Sequence, residues 1–133
     1  MTIVAADLTT TATTVALWVG VVLIGGIGSV LRFLVDRTVS RRLARPFPFG
    51  TLVVNTSGAV LLGLLGGLAL SKNAALLAET AFVGAYTTFS TWMLETQRLG
   101  EERQTWAALT NIVVSLVLGL AAARLGQWVA EQI

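Results

Sequence analysis

The sequence contains no cysteine and no histidine, and only two prolines. Without cysteine there is no disulfide scaffold, and without either residue there is no zinc site built on them. Ser-His-Asp and Cys-His catalysis are excluded on the same ground. Charge is scarce as well: 12% of the residues are Asp, Glu, Lys or Arg, against about 25% in an ordinary soluble domain. A soluble fold of 133 residues could bury a core, but its surface would hold too little charge to stay monomeric. Nine basic residues against seven acidic ones leave a net charge of +2, far too little for a nucleic-acid binder. Apolar residues make up 55% of the chain, with thirteen glycines set among them. That composition belongs to a small integral membrane protein.

A charge-free run of about 18 residues or more reads as a membrane span, because about 20 residues cross a hydrocarbon layer of about 30 Å. Four such runs, Leu8–Leu31, Pro46–Ser71, Asn73–Leu94 (interrupted only by Glu79) and Gln104–Ala123, predict spans over approximately 15–36, 48–70, 74–96 and 105–128. They fill nearly the whole chain as a single membrane domain and leave no room for a soluble one. Residues Met1 to Thr14 hold Asp7 but no Lys or Arg, so the basic start of a cleavable signal peptide is missing. The Thr9 to Thr14 stretch reads as a short disordered tail. Trp106 and Trp128 lie 22 residues apart, about 33 Å along a helix, which suits the two interfacial aromatic belts. The connections are short, so consecutive spans are predicted to be antiparallel neighbours.

A polar side chain at membrane depth is costly unless satisfied, which makes it a functional candidate. Thr51 and Asn55 lie one turn apart in the second span, and Gly58, Ala59, Leu62, Gly63 and Gly66 continue that face. Such a face serves either helix packing, with Asn55 bonding across helices, or a lined path. The third span carries Gly84-Ala85-Tyr86-Thr87-Thr88-Phe89-Ser90-Thr91-Trp92. Its hydroxyls either bond back to their own turn in an intact helix or satisfy a broken one, with Gly84 permitting the departure. A broken helix exposes carbonyls that suit a hard cation such as Na⁺. Phe89 and Trp92 share a face, either as plain packing or with ring edges turned to an anion, and Glu95 continues the stripe. Asn111, Ser115 and Gly119 form a polar line on the fourth span. Arg32 closes the first span after Gly25-Gly26-Ile27-Gly28-Ser29, either snorkelling to the interface or forming a cationic vestibule.

In these motifs the chain resembles the fluoride-channel family called Fluc or CrcB. The resemblance runs from Gly25 to about Gly119 and rests on four motifs in order. They are Gly25-Gly26-Ile27-Gly28 with Arg32, then Pro48-Phe49-Gly50-Thr51-Leu52 with Asn55 and Gly58. The third and most specific is Gly84 with Thr87-Thr88-Phe89-Ser90-Thr91 and Glu95, and the weaker fourth is Ser115 with nearby small residues. The resemblance implies an all-α membrane protein with four transmembrane helices, the third broken mid-membrane, paired as an antiparallel dimer with two narrow pores between subunits. It implies a passive fluoride channel of the inner cell membrane, not an enzyme, with a structural Na⁺ at the dimer centre held by the carbonyls of Gly84 and Thr87. Asn55 would donate amide hydrogens to F⁻ and Phe89 would present its ring edge. Thr88 and Ser115 would line the polar track, with Arg32 and Glu95 towards the vestibules. Two positions depart from the family's pattern: Trp92 stands where a second phenylalanine is usual, and Asn111 where tyrosine is frequent. Both are carried as candidate fluoride-path positions. A chain that works only beside a second, different subunit would hold such departures in the pore that no longer conducts. A small multidrug-type exporter is the other four-span dimer, but it needs a membrane-embedded carboxylate, usually in the first span. Here that span has none before Asp36, and Glu79 lies close to the start of the third.

The arginines carry orientation. Arg37, Arg41, Arg42, Arg45, Arg98 and Arg103 sit in the first and third connections, with Arg32 at the same end, whereas Lys72 and Arg124 sit opposite. By the positive-inside rule both termini are outside. The bias favours one fixed orientation, and hence pairing with an oppositely inserted homologue over self-pairing. A cytoplasm-only reporter fused to the C-terminus is therefore predicted to give no signal; strong signal would overturn the assignment.

Overall fold

The computed structural model describes residues 2–133, with side chains from Thr9 onward. The chain folds as α1 (Thr2–Leu43), α2 (Phe49–Gly67), α3 (Lys72–Ala75), a π-helical segment (Leu76–Val83), α4 (Gly84–Tyr86), α5 (Ser90–Glu101) and α6 (Thr105–Ala130). Among the described residues there is no strand. Three helices are long and apolar enough to cross a membrane: Thr9–Leu43, Phe49–Gly67 and Thr105–Ala130. The third pass has no single helix of that length, because helical geometry runs from Lys72 to Tyr86, stops, and resumes at Ser90.

The Thr9–Thr14 stretch, expected to be a disordered tail, is helical and part of α1. Thr13 and Thr14 donate their hydroxyls to the carbonyls of Thr9 and Thr10, each at 2.9 Å, one turn back along the helix. Once the apolar run from Val15 has nucleated a helix, each further residue adds a bond without a new nucleus. With its 42 residues, α1 is about 63 Å long and overreaches a bilayer core. Its last turn carries Arg41 and Arg42, which complement the negative end of the helix. Ala44 at φ 44° breaks the geometry, and Pro46 and Pro48 prevent its resumption before α2. Ala69 (φ 49°) and Arg103 (φ 59°) end α2 and the turn after α5 in the same left-handed way. None of the three is glycine, so each costs about 1 kcal/mol of backbone strain.

The most extensive helix pairing joins α2 and α6, which are far apart in sequence. Both start after arginine-bearing connections and run in the same direction, since Gly63 meets Ala123 and Gly67 meets Ala130. At the crossing, backbone lies against backbone. A Cβ on Gly126 would run into the Val60 carbonyl oxygen and come within 2.7 Å of the Leu64 nitrogen, while one on Gly63 would run into the Ala123 carbonyl. Small residues here permit the dispersion contacts that hold helices together in lipid, where no hydrophobic driving force operates between them. In α1, Gly28 similarly admits the Phe82 carbonyl of the π-helical segment, which a Cβ would meet at 2.6 Å. The other packed pairs include α1 with α2 and with the third pass, α2 with the third pass, and α5 with α6. Trp106 and Trp128 face outward at opposite ends of α6.

Gly126→Val is predicted to destabilise the protein by about 2 kcal/mol or more through overpacking, seen as a lower melting temperature in detergent. Gly119→Val is the internal control, because a Cβ there meets nothing within 4 Å, and it should leave the melting temperature nearly unchanged.

Candidate functional site

The third pass leaves helical geometry at Thr87 (φ −82°, ψ 162°). Gly84, expected to permit the departure, is itself regularly helical at φ −61° and ψ −36°. The turn happens three residues later because α2 supplies replacement bonds there. Asn55 donates Nδ2–H to the Thr88 carbonyl at 2.8 Å, and its Oδ1 accepts the Thr88 backbone N–H, also at 2.8 Å. A backbone N–H can only donate and a carbonyl can only accept, so this pair fixes which way the amide points. In an unbroken helix the Thr88 N–H would go to the Gly84 carbonyl. Its capture by Asn55 releases that oxygen, and Gly84 is exposed.

The rest of the break is satisfied locally. The Thr87 hydroxyl donates back to the Val83 carbonyl at 3.0 Å, and the Thr87 carbonyl accepts Arg32 Nη1 at 3.4 Å. Thr88 Oγ1 accepts the Thr91 N–H at 3.3 Å and donates to Thr91 Oγ1 at 3.0 Å, capping the start of α5. Tyr86 is buried, with its hydroxyl 2.9 Å from Ser57 Oγ on α2. A Cβ on Gly58 would run into the Thr87 methyl, so glycine lets the break seat directly against α2.

Beside the break lies a groove of about 280 Å³ whose lining includes Asn55, Thr87, Thr88, Phe89 and Trp92. Phe89 is 71% exposed. It meets Trp92 edge-on, with ring centroids 5.7 Å apart and planes at 70°. On the other side of Thr88 is a smaller pocket of about 200 Å³ that holds Arg32, Asp36, Thr51 and Thr91. Thr88 borders both spaces. Glu95 is not in either; it faces a separate cavity of about 330 Å³ with Ser40, Arg45 and Arg98.

Asn111 and Ser115 are not among the residues lining the groove. Asn111 is 1% exposed and ties α6 to α5: it donates Nδ2–H to Thr96 Oγ1 at 2.8 Å, and its carbonyl accepts the Trp92 Nε1–H at 3.4 Å. The indole N–H that distinguishes Trp92 from phenylalanine is thus turned towards α6. Ser115 Oγ and Asn111 Oδ1 are buried without a hydrogen-bond partner, as are Thr51 Oγ1 and Glu95 Oε2. Thr51, Thr91 and Asp36 join the site although they were not singled out for it. Thr51 carried a signal in its position one turn before Asn55, whereas Asp36 and the Ser57–Tyr86 pair carried none.

A model of the CrcB-like, camphor-resistance (CrcB) family matches residues 19–127. The chain belongs to the CrcB family. It is 78% identical over 121 residues to fluoride-specific ion channel FluC 2 of Mycobacterium bovis, covering 91% of this chain and 96% of that protein. The protein named fluoride-specific ion channel FluC 1 in Rubrobacter xylanophilus is 46% identical over 110 residues, 79% of this chain and 89% of the relative. FluC 2 of Clostridium acetobutylicum is 35% identical over 107 residues, 80% and 92% of the two chains. These names denote ion channels and not enzymes. With its long apolar helices, this CrcB-family chain is a multi-pass membrane protein.

Asn55→Ala is predicted to remove both clamp bonds and leave the Thr88 N–H and carbonyl unsatisfied. It should lower stability by about 2 kcal/mol, measured as a fall in melting temperature in detergent; an unchanged value would show that the clamp does not hold the break.

Proposed function

We propose that this CrcB-family chain forms a passive, fluoride-selective channel that lets F⁻ leave the cell across the inner membrane. The single observation that carries the reading is the clamp of Asn55 on Thr88, which sets an interrupted helix beside a groove lined by amide, hydroxyl and aromatic groups. F⁻ holds its water tightly, and a path that admits it must replace that shell with fixed donors. One Asn55 amide hydrogen is committed to Thr88 and the second is available to an ion in the groove. Phe89 adds the positive edge of its ring. The start of α5, at Ser90, adds the positive end of a helix dipole beside Phe89. No full positive charge lies in the groove, so the ion is held weakly enough to move on. Arg32 with Thr51 and Thr91, and Glu95 with Arg98, border polar cavities that serve as vestibules for the approaching anion.

A structural Na⁺ fits the other end of the break. The helical run through α4 ends there with its negative dipole end, and the Gly84 carbonyl is released at an exposed position. Gly84 and Thr87 would hold the ion through backbone oxygens, and the bound cation would supply a fixed positive charge that pins two chains together. Two oxygens are too few for a cation's shell, which supports an antiparallel dimer in which a second chain contributes its own pair. Trp92 and Asn111, locked to each other, together with the one-sided arginines, favour a second reading in which the chain conducts only beside an oppositely inserted homologue.

Fluoride efflux from liposomes tests both. The expected result is F⁻-selective efflux, lowered about tenfold or more by Asn55→Ala. Efflux by this chain alone would remove the partner-dependent reading. Efflux only with the homologue would establish it, and none in either format would overturn the channel.

A further inference from the structure

The α2–α6 pair is closed by glycine at its C-terminal half and open at its N-terminal half. There the two helices leave a groove of about 460 Å³ lined by Phe47, Leu52, Ala107, Thr110 and Val114, with Arg45 at its mouth. The wall at the loop end is rigid, because Pro46 and Pro48 bracket Phe47 and its ring lies 4.8 Å from that of Phe49. The depth from Gln104 to Val114 is about 15 Å along α6, a length that takes a good part of one hydrocarbon chain. Trp106, 81% exposed beside the mouth, is placed as an interfacial anchor. The groove therefore begins at the headgroup level and runs into the hydrocarbon layer.

The mouth is electropositive. Arg45 makes no ion pair among the described residues, whereas Arg41 and Arg42, on the last turn of α1, do not line the groove. Arg45 also borders the cavity that holds Glu95 and Glu102 but pairs with neither, and Glu102 is already engaged, with Arg98 at 4.0 Å and with the Gln104 amide at 3.1 Å. An apolar slot with a free arginine at its polar end matches one kind of molecule: a single negative headgroup carrying an acyl chain. We propose that this groove is a binding site for an anionic phospholipid, with the phosphate at Arg45 and one acyl chain between α2 and α6. The site lies apart from the break and shares no lining residue with the groove beside Asn55. Lipid seated there fills the space that the glycine crossing leaves open and props the two helices at their splayed ends.

The test is native mass spectrometry of protein taken from vesicles of equal parts phosphatidylglycerol and phosphatidylcholine. The protein is expected to retain phosphatidylglycerol in preference to phosphatidylcholine, and Arg45→Gln to lower that retention about fivefold. Ala107→Trp, which fills the groove while keeping every charge, should lower it as well, and keeps the proposal testable if Arg45→Gln fails to fold. Arg42→Gln should leave retention unchanged. Equal retention of the two lipids, or an equal loss with Arg42→Gln, would overturn the site in favour of diffuse surface charge. Loss of the dimer with Ala107→Trp at unchanged lipid retention would assign the groove to a second copy of the chain instead.

Discussion

The reciprocal bond pair between the Asn55 side chain and the Thr88 backbone is the constraint on which the rest of the site depends. A helix in lipid cannot open freely, since each unsatisfied N–H or carbonyl costs several kcal/mol there. Asn is suited to this task because its amide copies a peptide group, offering one acceptor and one donor to a residue that has left its ladder. Everything nearby follows from that substitution of partners. Thr88 is turned so that its hydroxyl caps α5, Gly84 loses its donor, and Thr87 points its carbonyl towards Arg32. Gly58 leaves room for the displaced turn.

The break also separates two opposite partial charges by only a few residues. The run ending at Tyr86 presents its negative end and the run beginning at Ser90 its positive end. One interruption thereby sets opposite partial charges side by side, with Arg32 the ionised side chain that reaches it, at the Thr87 carbonyl. That economy explains how a chain with so little charge can handle ions at all. Apart from Arg32, which reaches the Thr87 carbonyl, the arginines stay at the periphery, where the guanidinium can be hydrated.

Much of this was readable from the residues. Apolar runs mark helices because lipid tolerates little else, and the few polar residues inside them stand out. Asn55, Thr88, Phe89 and Trp92 stand out in two stretches of the sequence and lie around one groove. What stayed hidden was set by tertiary contact. The bend falls at Thr87 and not at Gly84 because the decisive donor and acceptor come from another helix. Periodicity puts Asn111 on a polar line of α6 but gives no sign that its amide bonds Thr96 or that its backbone carbonyl accepts the Trp92 indole. Periodicity gives the face of a helix but does not say which neighbour that face meets. The polar composition of Thr9–Thr14 suggests a tail, but extending an existing helix needs no new nucleus. The parallel pairing of α2 with α6 left no local trace beyond glycines, and short connections speak only of sequential neighbours.

That last pairing has a temporal side. When α2 has been synthesised, the glycine surface it presents has no partner until α6 emerges at the far end of the chain. The third pass, clamped at Thr88 by Asn55, packs against the same helix. The crossing of Gly63 and Gly126 joins residues 63 positions apart, so it can form only once nearly the whole chain has been made. The two helices thus meet most closely towards the end that carries Arg124, away from the arginine-bearing connections.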